Sequence, residues 1–242
     1  MDGYAPSHLD SQSNMLLLHH NPHAAYIYIY MKYEKIFQIG FGKTGTISMH
    51  NMFLELGVKS QHSREWNLNE YESFFDGHTY RDGSGDFTKL YSKYENPLFI
   101  LSTRSLGGWI FSLNKHINRQ FMTWKKEKSF WPPSVEYNIK EINRRKNHYY
   151  DVLDFFKNDP SKLIVVSIDK PNWLSFVAES AGFSYEKDIR KNVLEENTLL
   201  PEHLKLIKDT LNETYTKYEM TENDIKSLHL DENLISLYKN NL

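Results

Sequence analysis

Lys35-Ile36-Phe37-Gln38-Ile39 runs directly into Gly40-Phe41-Gly42-Lys43-Thr44-Gly45-Thr46-Ile47-Ser48. The first five residues, rich in β-branched and aromatic side chains, read as a short strand. Glycines 40, 42 and 45 follow as a turn. Beyond them Met49, Met52, Phe53 and Leu56 recur at i, i+3, i+4 and i+7. That spacing is one apolar face of a helix, which Gly57 is placed to end. Strand, glycine turn and helix in this order make an anion cradle. Gly40, Gly42 and Gly45 keep Cβ atoms away from a bound phosphate. The helix beginning near Thr44 aims its unpaired N–H groups and positive dipole end into the turn. Lys43 adds a full charge, and Thr44, Thr46 and Ser48 add hydroxyl donors.

Outward from this stretch, Leu98-Phe99-Ile100-Leu101-Ser102 and Leu163-Ile164-Val165-Val166-Ser167-Ile168 are near-continuous apolar runs. Parallel sheets use such strands because both of their faces are covered. Ser73-Phe74-Phe75-Asp76-Gly77-His78 reads as a shorter strand or its end. Residues 58–72 are mixed and polar, with Trp66 as their one large anchor. Asp82 to Asp86 is a loop by composition. A short helix through Leu90 and Tyr94 leads to Pro97. Leu106, Trp109, Ile110, Leu113, Ile117 and Trp124 repeat at helical spacing, and Trp131-Pro132-Pro133 interrupts the chain. A second long helix fits Ser134–Phe156, with Ile142, Tyr149, Leu153 and Phe156 on one face. Segments 173–181, 202–218 and 222–239 also read as helical. Strands separated by helices predict an α/β three-layer sandwich with a central parallel β-sheet flanked by helices. Its ligand site belongs outside the carboxyl ends of the strands. This gathers the turns after Ile39, His78, Ser102 and Ile168 around one cleft.

With 242 residues, 40% of them hydrophobic and 14% aromatic, the chain can fill the core of one sizeable domain. The net charge of −2 supplies no global field for nucleic acid or an anionic membrane, so an anion site must be local. Cysteine is absent, which removes disulfides, thiolate metal sites and cysteine nucleophiles. No apolar run approaches the roughly 18–20 residues of a membrane span. Residues 1–30 lack the basic start and long apolar run of a secretory signal. They are expected to form a disordered extension, with 31–242 as a single domain and a cytoplasmic address. His19, His20 and His23 fall in that extension, and no convincing metal cluster is present.

Which anion the turn holds can be narrowed. A Walker A loop needs G-x-x-x-x-G-K-[ST], and counting back from Gly42 places its first glycine at Phe37, inside the strand. The dinucleotide fingerprint G-x-G-x-x-G is nearly spelled by Gly40, Gly42 and Gly45, but Lys43 intrudes and no acidic residue clearly ends a next strand. Gly40 to Ser48 resembles instead the 5′-phosphosulfate-binding loop of the sulfotransferases that use 3′-phosphoadenosine 5′-phosphosulfate (PAPS). The core of that loop is K-T-G-T followed shortly by Ser. A second element matches the family: Arg104 follows the strand 98–102, and Ser112 comes eight residues later. The resemblance covers roughly residues 35–117; Ile47 departs from it, standing where Thr or Ser is common.

The resemblance implies a P-loop-like sulfotransferase fold. It further implies that Lys43 contacts the phosphosulfate bridge, that the loop amides and hydroxyls hold the 5′-phosphate, and that Arg104 and Ser112 hold the 3′-phosphate. The implied reaction moves a sulfuryl group from PAPS to a small-molecule or carbohydrate hydroxyl or amine, releases adenosine 3′,5′-bisphosphate and needs no metal. For the general base, Asp76 and His78 at a strand end are the candidates, with His62, Asp82 and Asp86 in reserve. Arg190-Lys191 reads as a solvated pair more readily than as a third 3′-phosphate contact. Trp109, Phe121, Trp124, Trp131 and Tyr149-Tyr150 read as core, with stacking on an aromatic or sugar acceptor as the alternative. A P-loop-type small-molecule kinase and a non-catalytic nucleotide-binding relative are the competing functional readings.

Overall fold

A computed structural model describes residues 32–63, 65–75, 86–123, 134–186 and 201–242, the side chains of 118–123 and 232 excepted. The strands are β1 (Lys35–Gln38), β2 (Ser60–His62), β3 (Ser73–Phe75), β4 (Pro97–Thr103), β5 (Leu163–Ser167) and β6 (Lys239–Asn241). The helices are α1 (Thr46–Glu55), α2 (Phe87–Lys93), α3 (Leu106–Thr123), α4 (Val135–Phe156), α5 (Trp173–Ala181), α6 (Pro201–Lys217), α7 (Glu222–Lys226) and α8 (Glu232–Ile235). The strands form one sheet in the order β2-β3-β1-β4-β5-β6, and every pairing is parallel.

Side-chain alternation along each strand divides the apolar residues between the two faces of the sheet. Phe37, Ile39, Phe99, Leu101, Leu163 and Val165 pack with residues of α3, α4 and α6. Ile36, Leu98, Ile100, Ile164 and Val166 pack on the other face with α1 and α5. All seven residues of β4 are buried, which is why its sequence shows no polar alternation. Each large side chain enclosed this way contributes about 1.5–3 kcal/mol. The architecture is thus the expected three-layer α/β sandwich.

Two short strands escaped the sequence reading. β2, Ser60-Gln61-His62, and β6, Lys239-Asn240-Asn241, carry no apolar run and pair at the two ends of the strand order. The helix expected over 222–239 is also corrected. A capping box between Thr221 and Asp224 starts α7, which stops at Lys226. The carbonyl of Ser227 then accepts from the Leu106 N–H at the start of α3, and His229 turns the chain with φ 56°. Tertiary hydrogen bonds replace helical ones there. No described helix is long and apolar enough to cross a membrane.

The strand order places the site. β1 lies between β3 and β4. The chain leaves β1 through α1 on one face and leaves β4 through α3 and α4 on the other. Connections that diverge to opposite faces open a crevice between the carboxyl ends of β1 and β4. The glycine turn and Arg104 both lie at that crevice.

Candidate anion-binding site

The turn after β1 is fastened from beneath. A Cβ on Gly40 would stand 2.3 Å from the carbonyl oxygen of Ser102, so the close passage of β4 requires glycine here. Gln38 Nε2 donates to Ser102 Oγ at 2.9 Å. Thr44 Oγ1 lies 2.7 Å from Ser102 Oγ and donates its single proton to the Phe41 carbonyl. Ser102 must therefore donate to Thr44, and the four groups form one directed chain. The Thr44 hydroxyl, expected to face a ligand, is instead fully buried and binds the turn to β4. Trp109 Nε1 adds a bond of 3.1 Å to the Gly42 carbonyl. Phe41 packs edge-on against Trp109, His148 and Tyr149.

The outer side of the turn is strained and polar. Gly45 has φ 83°, and a Cβ there would meet Trp173 Cη2 at 2.6 Å. Lys43 adopts φ 70° although it carries a Cβ. That left-handed conformation costs about 1–2 kcal/mol, and strain of this kind gathers at functional sites. α1 begins with no side-chain cap and no acidic residue in its first turn, so its positive end is not neutralised locally. Such a helix start suits an anion. Thr46 Oγ1 lies 3.2 Å from Nε2 of His62, at the carboxyl end of β2. His50 Nδ1 lies 2.7 Å from Ser60 Oγ, with its ring centre 5.6 Å from that of His62. Burial first, and the His62 charge second, lower the pKa of His50.

The second element is the start of α3. A Cβ on Gly108 would stand 2.9 Å from Arg104 Nε and 3.4 Å from its Cζ. The guanidinium therefore lies back along the helix, over the bare backbone of Gly108. Half-buried Ser112 lies one turn beyond Gly108 on the same face of α3. Asp169, just past β5, accepts from the Ser105 N–H at 2.8 Å, and its other oxygen is 3.4 Å from Arg104 Nε. Asp169 thus faces the Nε edge of Arg104 as an ion pair rather than as a hydrogen-bond acceptor.

Gly108 and Asp169 were missed in the sequence. Their signals were a Gly107-Gly108 pair inside a helix pattern and an acid at the carboxyl end of an apolar strand. Among the reserve bases, Asp86 is the N-cap of α2, accepting from the Thr88 and Lys89 N–H groups, and the bond it accepts from the Thr88 hydroxyl at 2.6 Å is the chief cause of its lowered pKa. His62 stands beside the turn. Asp76, His78, Asp82, Arg190, Lys191, Trp124 and Trp131 lie outside the described residues, as does the side chain of Phe121. Trp109 and Tyr149 are core, as expected, whereas Tyr150 is 54% exposed. Among the described residues no group of three His, Asp or Glu side chains is placed to hold a metal ion. No protein-family model matches the chain, and no curated protein shows significant similarity to it.

Proposed function

We propose that this chain is a PAPS-dependent sulfotransferase with the P-loop-like fold of that family. The observation that carries the reading is that the turn Gly40–Gly45 follows β1 and Arg104 follows the adjacent parallel β4, so that both lie at one crevice. A nucleotide phosphorylated at both its 5′ and 3′ positions engages both. The uncapped start of α1 and the strained Lys43 suit the 5′-phosphosulfate. Arg104, laid along α3 toward Ser112, suits the 3′-phosphate through its paired donors.

In the reaction the acceptor oxygen or nitrogen attacks sulfur in line with the bridging oxygen of the phosphosulfate. A bond to sulfur forms as the sulfur–bridge bond breaks, and adenosine 3′,5′-bisphosphate leaves. The protein positions the reactants and stabilises charge growing on the bridging oxygen. Lys43 and the amides at the start of α1 fill that second role. The acceptor's proton passes to a base, with Asp76 and His78 just beyond β3 as the candidates and His62 in reserve. The acceptor is a small-molecule or carbohydrate hydroxyl or amine.

Binding of adenosine 3′,5′-bisphosphate, followed as a thermal shift, tests the nucleotide reading. The shift should vanish in Lys43→Ala and in Arg104→Ala. Stabilisation by magnesium-ATP without any response to the bisphosphate would overturn it in favour of a kinase. Labelled PAPS with a panel of hydroxylated and amine acceptors then tests transfer. Binding with no transfer would leave a non-catalytic nucleotide-binding protein.

A further inference from the structure

The buried face of α4 carries Arg145, His148 and Tyr149 among its apolar residues. Each reaches backbone at the crevice. His148 Nε2 donates to the carbonyl of Ile39, where β1 enters the glycine turn, at 2.6 Å. Tyr149 donates to the carbonyl of Ser102 at 3.2 Å. Arg145 Nη2 donates to Thr103 Oγ1 at 3.0 Å, to the Leu228 carbonyl at 3.3 Å and to the carbonyl of Arg104. One helix face thus ties down the backbone of both anion-holding elements.

Arg145 differs from its neighbours. It is fully buried, with its guanidinium 4.8 Å from the ring centre of Trp109 and 5.1 Å from that of Tyr149. Among the described residues no carboxylate pairs with it, and its Nε and Nη1 have no hydrogen-bond partner. A buried arginine used only as a staple is ordinarily neutralised by an acid, because an unpaired charge away from water is costly. This one instead stands directly behind the residue proposed to meet the 3′-phosphate, bonded to its main chain. An arriving dianion supplies the missing opposite charge through a medium that screens it weakly.

We propose that Arg145 is the positioning residue that gives this site its selectivity for a nucleotide with a second phosphate at Arg104. It fixes the β4–α3 turn and sets a positive charge beneath it. The inference rests on the nucleotide reading above. The test is calorimetric titration of the full chain with adenosine 3′,5′-bisphosphate and with adenosine 5′-monophosphate, which lacks the 3′-phosphate. Arg145→Met should reduce the preference for the bisphosphate roughly tenfold while changing monophosphate affinity less than about twofold. Arg145→Lys, which keeps the charge but loses the fork, should fall between Met and wild type. Thr103→Val removes one acceptor with little change of shape and should lower the preference about two- to threefold, which keeps the test open if Arg145→Met does not fold. Equal losses for both nucleotides in folded variants would reduce Arg145 to a staple of the fold. A preference unchanged in Thr103→Val and Arg145→Met would likewise overturn the assignment, leaving the nucleotide reading intact. A wild-type chain indifferent to the 3′-phosphate would refute the bisphosphate reading itself, and Arg145's role with it.

Discussion

Lys43 holds φ 70° at the apex of the glycine turn, and the consequence for stability has a sign that can be measured. A residue with a Cβ pays about 1–2 kcal/mol for that conformation, whereas glycine adopts it freely. Glycine in turn loses about 0.4–1 kcal/mol more than alanine through the entropy of the unfolded chain. The difference predicts that Lys43→Gly is more stable than Lys43→Ala by about 0.5–1 kcal/mol, or roughly 2 °C in Tm for a domain of this size. Comparing the two variants cancels the loss of the lysine side chain, its charge and its contacts. Urea unfolding followed by circular dichroism reads the difference as a shift in midpoint at constant slope. At a position with ordinary negative φ the order reverses, with glycine about 0.5–1 kcal/mol the less stable. That reversed order would refute the strain at Lys43. Both variants should lose the thermal shift produced by adenosine 3′,5′-bisphosphate, so a more stable loop would be a non-binding one.

Gly108→Ala should separate stability from binding in the same way. Alanine gains about 1 kcal/mol of helix propensity, while the new methyl displaces the Arg104 guanidinium and the Ser105 hydroxyl, each 2.9 Å away. A higher Tm with roughly tenfold weaker bisphosphate binding is expected by calorimetry, and unchanged binding would deny that Arg104 must lie along α3. His229 should contribute to acid sensitivity. Burial, then the charges of Arg145 and Lys146, lower its pKa to about 4, against a weaker opposing effect of Asp224. The folded state therefore keeps this ring neutral while the unfolded chain protonates it. Its contribution is complete above about pH 6.5 and is lost as the pH falls toward about 4, by about 2 kcal/mol after solvent screening. His229→Asn, which tolerates φ 56°, should flatten the dependence of unfolding free energy on pH across that window. An undiminished slope would show that the ring's protonation does not matter. Asp86→Ala should cost about 1 kcal/mol by removing the cap of α2, with the transfer rate per folded molecule unchanged. A lost rate in that variant would return Asp86 to the list of bases.

What could be read in the chain and what could not divide along physical lines. β1, β4 and β5 were legible because enclosure on both faces leaves an apolar run that needs no neighbour to interpret. β2 and β6 were not: Ser60-Gln61-His62 and Lys239-Asn240-Asn241 have no strand signal of their own and are ordered by pairing with β3 and β5. The polar members of the buried α4 face were overlooked for a related reason. Asn138, Glu141, Arg145 and His148 share the helical spacing of Ile142, Tyr149 and Leu153, but an apolar pattern passes over them. Each is buried in the core, and Arg145 and His148 meet carbonyls that arrive from distant strands.

The sequence by itself determined the succession of strand, glycine turn and helix over Lys35–Glu55. Close packing and left-handed backbone admit few residues there, and helical periodicity is local. It also marked Arg104 at the end of a strand buried on both faces. Only the tertiary structure decided which way each polar group faces. The Thr44 hydroxyl turns down to Ser102, 58 residues away, and Asp169, 64 residues from Ser105, takes the Ser105 amide just before α3 and pairs with Arg104 at its Nε edge. Arg145 reaches beneath the same turn from a third element. A hydroxyl or guanidinium satisfies the nearest well-placed partner, and partners brought together across the sheet leave no trace in local spacing.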